Sequence, residues 1–112
     1  MTDCRCLTPS FDYRDFDSAA LGVDETDGRF GEVTIETCKV CGRRWLRYFV
    51  EYEAFSRSGR WYRGLVTDAI ACTVQPESAV DVLQSLAWRF AGGDYFDSTG
   101  FKSTGPVIVD PY

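Results

Sequence analysis

Histidine is absent from this 112-residue sequence, and methionine occurs once. The first absence removes the commonest general base and the commonest nitrogen ligand for metals. Catalysis by a Ser-His or Cys-His pair is therefore excluded, and a metal could be held only by cysteine or carboxylate. No run of about 18 apolar residues occurs, which excludes a helix that spans a bilayer. Met1-Thr2-Asp3-Cys4-Arg5-Cys6 has no apolar stretch behind a basic region, so no secretory signal is expected and a cytoplasmic protein is the natural reading. Ser58-Gly59 and Gly92-Gly93 are present, but no glycine loop of the phosphate-binding kind accompanies them.

What remains is rich in apolar and aromatic side chains, at 45% and 15%, so a packed interior is expected and wholesale disorder is not. The length suits one domain with one core. The net charge of −5 is unevenly spread. Residues 1–38 hold nine acidic side chains against three basic ones. Residues 39–63 reverse this with Lys39, Arg43, Arg44, Arg47, Arg57, Arg60 and Arg63 against Glu51 and Glu53, and residues 64–112 are acidic again. The whole chain should repel a polyanion, while one segment could form a basic stripe.

Along the chain, residues 1–9 read as an irregular start and 10–31 as an acidic loop. Phe11, Tyr13, Phe16 and Leu21 pack that loop down, with a short helix over 17–22. Its aspartates match no calcium-loop spacing, so a solvated acidic face is expected. Residues 32–74 read as a sheet. Val33, Ile35 and Thr37 alternate with Glu32, Thr34 and Glu36, the period of a half-buried strand. A second strand from residue 43 to about 54 shows Leu46, Tyr48, Val50 and Tyr52 on one face and Trp45, Arg47, Phe49 and Glu51 on the other. Residues 60–66 return antiparallel after Ser58-Gly59, and 67–74 extend that strand with Cys72 as a small core residue. Pro76 and Glu77 open a helix over 76–91, whose Ala79, Val80, Leu83, Leu86, Ala87 and Phe90 share a face, closed by Gly92-Gly93. The tail, 92–112, offers a last strand at 107–109. The expected class is α+β: an antiparallel β-meander, one packed C-terminal helix and a zinc-ribbon-like knuckle.

Four of the five cysteines fall in two tight pairs, Cys4-x-Cys6 and Cys38-x-x-Cys41. In a reducing compartment, paired thiols point to metal or redox work. Two intervening residues let Cys38 and Cys41 reach one ion, and Gly42 can take the left-handed conformation that ends such a turn. Cys4 and Cys6 complete an all-cysteine tetrahedral site, and structural Zn²⁺ is the expected cofactor. Iron satisfies the same spacing. A redox Cys38–Cys41 dithiol is the other rival, although the βαβ context of a thioredoxin motif is missing. Lys39, Arg43, Arg44 and Arg5 lie near the thiols in sequence and would offset their charge.

Zinc with four protein ligands keeps no open position for water. A binding role is therefore expected rather than catalysis, with a carboxylate-dependent enzyme as the remote alternative. Trp88, on the polar side of the predicted helix, is a candidate anchor for a protein partner unless Tyr95-Phe96 folds over it. Trp61, Arg60 and Arg63 form a second candidate surface. The alternative is nucleic-acid binding through Arg43, Arg44, Arg47 and Arg57 with the rest of the basic segment. Membrane partners are not expected.

The run Cys38-Lys39-Val40-Cys41-Gly42-Arg43-Arg44-Trp45, with Arg60-Trp61-Tyr62-Arg63 and Gly92-Gly93-Asp94-Tyr95-Phe96 through Thr104-Gly105-Pro106, resembles small bacterial zinc-ribbon proteins of unassigned activity. The resemblance covers most of the chain beyond residue 37 and implies a metal-bearing fold. In size, charge and class the chain is also similar to toxin-neutralising immunity proteins, which implies an inhibitor of a protein partner.

Overall fold

Alternating side chains between residues 31 and 50 build the centre of one antiparallel sheet. A computed structural model describes residues 4–9, 11–51, 59–93 and 98–107. Six strands lie in sequence order, each antiparallel to the next: β1 (Phe16–Asp24), β2 (Gly31–Cys38), β3 (Arg44–Val50), β4 (Arg60–Val66), β5 (Arg89–Gly93) and β6 (Ser98–Ser103). Two short helices, α1 (Asp68–Thr73) and α2 (Ala79–Ser85), fill the connection from β4 to β5. The fold is α+β, a six-stranded meander with helix packed on it and a cysteine knuckle between β2 and β3.

Both faces of the sheet are covered, by different means. Register places Val33, Ile35, Leu46, Tyr48, Val50, Tyr62, Val66 and Ala91 on the first face. They pack against Ala71, Val74, Ala79, Val80 and Leu83 from the helical connection. Gly64 is required here: a Cβ at that position would stand 2.4 Å from the side chain of Leu86 and 2.8 Å from that of Leu83. The second face carries Cys38, Trp45, Phe90 and Phe16, and the segment holding Cys4, Cys6, Leu7 and Phe11 lies against it.

Four predicted elements take another form. The acidic stretch is no loop, and its 17–22 segment is not helical: it is β1, paired with β2 from Phe16↔Cys38 to Asp24↔Gly31. Eight backbone partners on β2 outweigh a local preference that one short turn of helix could not sustain. Residues 67–74 do not extend β4. The Thr67 hydroxyl accepts from the Ile70 N–H at 3.2 Å, capping α1, and Cys72 is exposed rather than core.

The predicted 76–91 helix breaks into a 3-10 turn at Pro76–Ser78, then α2, then β5. Arg89, fully buried, donates from Nε to the Leu83 carbonyl at 3.0 Å and from Nη2 to the Gly105 carbonyl. It thereby fills the acceptor that the next helical turn would have used, and frees Phe90 to pair in the sheet. The last described strand is β6; Val107 is buried outside any strand, and residues 108–109 lie outside the described residues, as do Tyr52, Arg57 and Tyr95-Phe96.

At the far end of β1, Asp24 is buried and accepts from the Tyr48 hydroxyl at 2.7 Å and the Thr26 N–H at 3.0 Å, with Arg29 at 3.5 Å. Burial works to raise its pKa, but the Thr26 and Tyr48 donors and Arg29 outweigh it and hold the carboxyl below its ordinary value. A depressed folded pKa contributes stability above the unfolded value of about 3.9, and that contribution is lost as pH falls through the folded value. Asp24→Asn is expected to cost about 1–3 kcal/mol at neutral pH and to flatten the acid limb of a stability–pH curve from denaturant melts. An unchanged acid limb would remove Asp24 from this role.

Candidate metal centre

Backbone hydrogen bonds shape the knuckle. The Cys38 N–H donates to the Arg43 carbonyl and the Gly42 N–H to the Cys38 carbonyl, both at 2.9 Å. Gly42 holds φ 79°, the left-handed region that a Cβ penalises. The Lys39 N–H donates to the Asp15 carbonyl at 2.8 Å, which fixes the knuckle to the start of β1. On the other side, residues Arg5–Leu7 form a 3-10 turn in which the Leu7 N–H donates to the Cys4 carbonyl at 2.9 Å. This turn delivers both N-terminal sulfurs to the same point.

Four sulfurs meet there. Cys4 Sγ is 3.6 Å from Cys38 Sγ, Cys6 Sγ is 3.5 Å from Cys41 Sγ, and all four lie within 4.8 Å of one another. Sulfurs each about 2.3 Å from a common ion stand about 3.8 Å apart at tetrahedral angles. A disulfide would need about 2.0 Å, and all four thiols are free. Cys6 and Cys38 are buried while Cys41 is exposed at the rim. The two pairs, 31 residues apart, form one candidate metal site.

Its electrostatics favour thiolates on the open side. Burial pushes Cys6 up to about 12, helped by the neighbouring thiols and opposed by the Trp45 indole N–H. That N–H is completely buried and makes no hydrogen bond of good geometry, and the Cys6 sulfur is the acceptor it faces. At Cys41 burial also works upward, but the Arg43 backbone and guanidinium outweigh it and draw the thiol down to about 6. Arg43 is held above its own ordinary value by the same contact. Arg5 pairs with Asp15 at 3.1 Å and Lys39 with Asp17 at 4.0 Å, both at the surface, where such pairs contribute little.

The remaining predicted site residues are scattered. Trp88 is half-buried and packs edge-on to Trp45 and Phe90, with Lys102 4.6 Å from its ring centre. Trp61 is half-buried against Phe11. Arg60 and Arg63 are each 3% exposed. Arg43, Arg44 and Arg47 are half-buried, and Arg44 faces Asp68 at 3.5 Å. Among the described residues the basic segment therefore forms no exposed stripe.

Sequence reasoning missed the group beside the metal centre. Arg63 binds Glu36 through Nη1 and lies over the rings of Phe16 at 4.2 Å, Phe11 at 4.7 Å and Trp45 at 5.7 Å. A buried guanidinium carries a desolvation cost of several kcal/mol, and burial lowers the Arg63 pKa. Glu36, with cation–π contacts of about 2 kcal/mol when desolvated, offsets much of that. Cross-strand parity was the available signal, since Glu36, Trp45, Arg47 and Arg63 all fall on the face opposite the aliphatic one.

No protein-family model, no curated protein and no solved structure matches this chain.

Coordination requires deprotonated thiols. Purified protein is expected to take up one divalent ion per chain, measured by elemental analysis, and Cys38→Ser to retain less than a tenth of it. Uptake should release protons and weaken as pH falls below about 6, where Cys41 regains its proton. Metal content unchanged in Cys38→Ser, or uptake indifferent to pH between 5 and 8, would contradict four-thiolate ligation.

Proposed function

We propose that this chain is a non-catalytic, zinc-stabilised module that binds a protein partner. The observation that carries the reading is the convergence of Cys4, Cys6, Cys38 and Cys41, because four thiolates complete zinc's tetrahedral shell and leave no position for a reacting water. Zinc suits an all-sulfur set that has no histidine and works in a reducing compartment. The resemblance to small bacterial zinc-ribbon proteins points the same way. Apparent binding free energies of about 10–16 kcal/mol for such sites exceed or equal the net stability of an ordinary domain, about 5–15 kcal/mol. The ion therefore acts as part of the fold.

A further candidate for the partner surface lies apart from Trp88 and Trp61. Phe30 is 63% exposed and holds φ 55°, a conformation that costs a bulky side chain about 1–2 kcal/mol. Val23, 46% exposed, lies at the same end of the sheet, where Asp24 pairs with Gly31. An aromatic kept in water by a strained backbone is a poor choice for stability and a good one for an interface anchor. An inhibitor or immunity-type role would use such an anchor with the acidic N-terminal half for charge matching.

Metal content, unfolding and partner recovery test this reading. Elemental analysis should find zinc rather than iron, and removing it with a chelator should abolish cooperative unfolding. Phe30→Gly should leave the melting temperature unchanged or raised by a few degrees, because it relieves the left-handed strain. The same change should lower recovery of the co-purifying partner at least tenfold. Equal recovery by the native chain and Phe30→Gly would remove this surface; iron in the site would remove zinc.

A further inference from the structure

We infer that the second face of the sheet holds a binding site for a small planar aromatic monoanion, an aromatic carboxylate in kind. A cavity of about 430 Å³ opens beside Arg63, inside the range of small-ligand sites. Phe11, Tyr13 and Trp61 supply aromatic walls, and Glu36, Arg47 and Arg63 supply the charge.

The charge is unbalanced in a way that the chain itself does not repair. Arg47 and Arg63 are direct cross-strand partners on β3 and β4, so two like charges stand side by side on one face. Glu36 is committed to Arg63 Nη1, and among the described residues no carboxylate pairs with Arg47. Arg63 Nε and Nη2 are buried and have no hydrogen-bond acceptor. Burial lowers the pKa of Arg63; Glu36 opposes that shift, and the nearby charge of Arg47 adds to it. The walls favour a flat ring, by stacking on Trp61 and Tyr13. The local excess of one positive charge fits one negative group. A chain of net −5 opposes a polyanion, which sets a small ligand ahead of an oligonucleotide. The cavity is separate from the cysteine cluster, since none of the four cysteines lines it.

The probe is 2-naphthoate, with 2-naphthamide as its uncharged counterpart, titrated calorimetrically into the full metal-loaded chain. Naphthoate is expected to bind one to one and at least tenfold more tightly than the amide. Arg47→Gln, whose side chain is half-buried, should bring the two affinities within about threefold of each other while leaving melting temperature and metal content unchanged. Trp61→Leu should weaken both ligands. Absence of saturable naphthoate binding, equal affinity for acid and amide, or an Arg47→Gln variant that still prefers the acid tenfold would overturn the inference. So would a single-stranded oligonucleotide that binds more tightly than naphthoate and displaces it. None of these outcomes depends on a protein partner or on Phe30.

Discussion

Convergence of the four sulfurs decides what covers the second face of the sheet. The first face needs no such device, because α1, α2 and their turns follow directly from β4 and bring aliphatic side chains with them. The second face must be closed by the chain before β1, a segment whose only described regular structure is two 3-10 turns. Such a segment buries too little of its own to hold itself down against the entropy of ordering it, about 1–2 kcal/mol per residue. Cys4 and Cys6 tie it to the knuckle, and Leu7 and Phe11 then reach Trp45, Trp61 and Phe90. The cysteine cluster and the aromatic cluster are in this sense one structure. The ion would supply the fixed point, and the rings would supply the buried area.

That coupling also explains the arginines. A strand that runs from the knuckle places every second residue on the face turned to the N-terminal segment. Arg47 on β3 and Arg63 on β4 fall at those positions, so cations that look like a surface stripe in the sequence point into a covered layer. Glu36 meets Arg63 there from β2, and the Trp45 ring lies 5.7 Å from the same guanidinium.

The legible parts of the sequence were those in which local pattern and long-range pairing agree. Val33, Ile35, Leu46, Tyr48 and Val50 alternate, and they pack where alternation puts them. Strand β4 occupies 60–66, and the Cys-x-x-Cys-Gly turn ends at a glycine with positive φ. The illegible parts were those in which pairing overrides pattern. Residues 79–90 carry helical spacing of apolar side chains, yet Leu86 turns extended and Phe90 joins β5, because Arg89 takes the Leu83 carbonyl and β4 and β6 flank the strand. The stretch Ser18-Ala19-Ala20-Leu21 has no strand signature of its own and is a strand only because β2 offers it an edge. The cysteine set was readable because thiols converge for chemical reasons that spacing partly records; for Glu36 and Arg63 strand parity gives the shared face but not that the two side chains meet across β3.

A charge count by segment therefore measures something other than surface potential. The excess of positive charge over residues 39–63 would draw a polyanion only if its side chains reached water. Arg60 and Arg63 are almost wholly enclosed, Arg43 is engaged by Cys41, and Arg44 faces Asp68. Among the described residues, these arginines of the segment therefore add little to the exterior. A small positive remainder stays at Arg47 and Arg63, in an aromatic-walled space beside the N-terminal segment. Burial has thus sorted the charge: segment totals that look like a basic stripe in the sequence are largely spent inside the fold, and what is left of them gathers at one cavity.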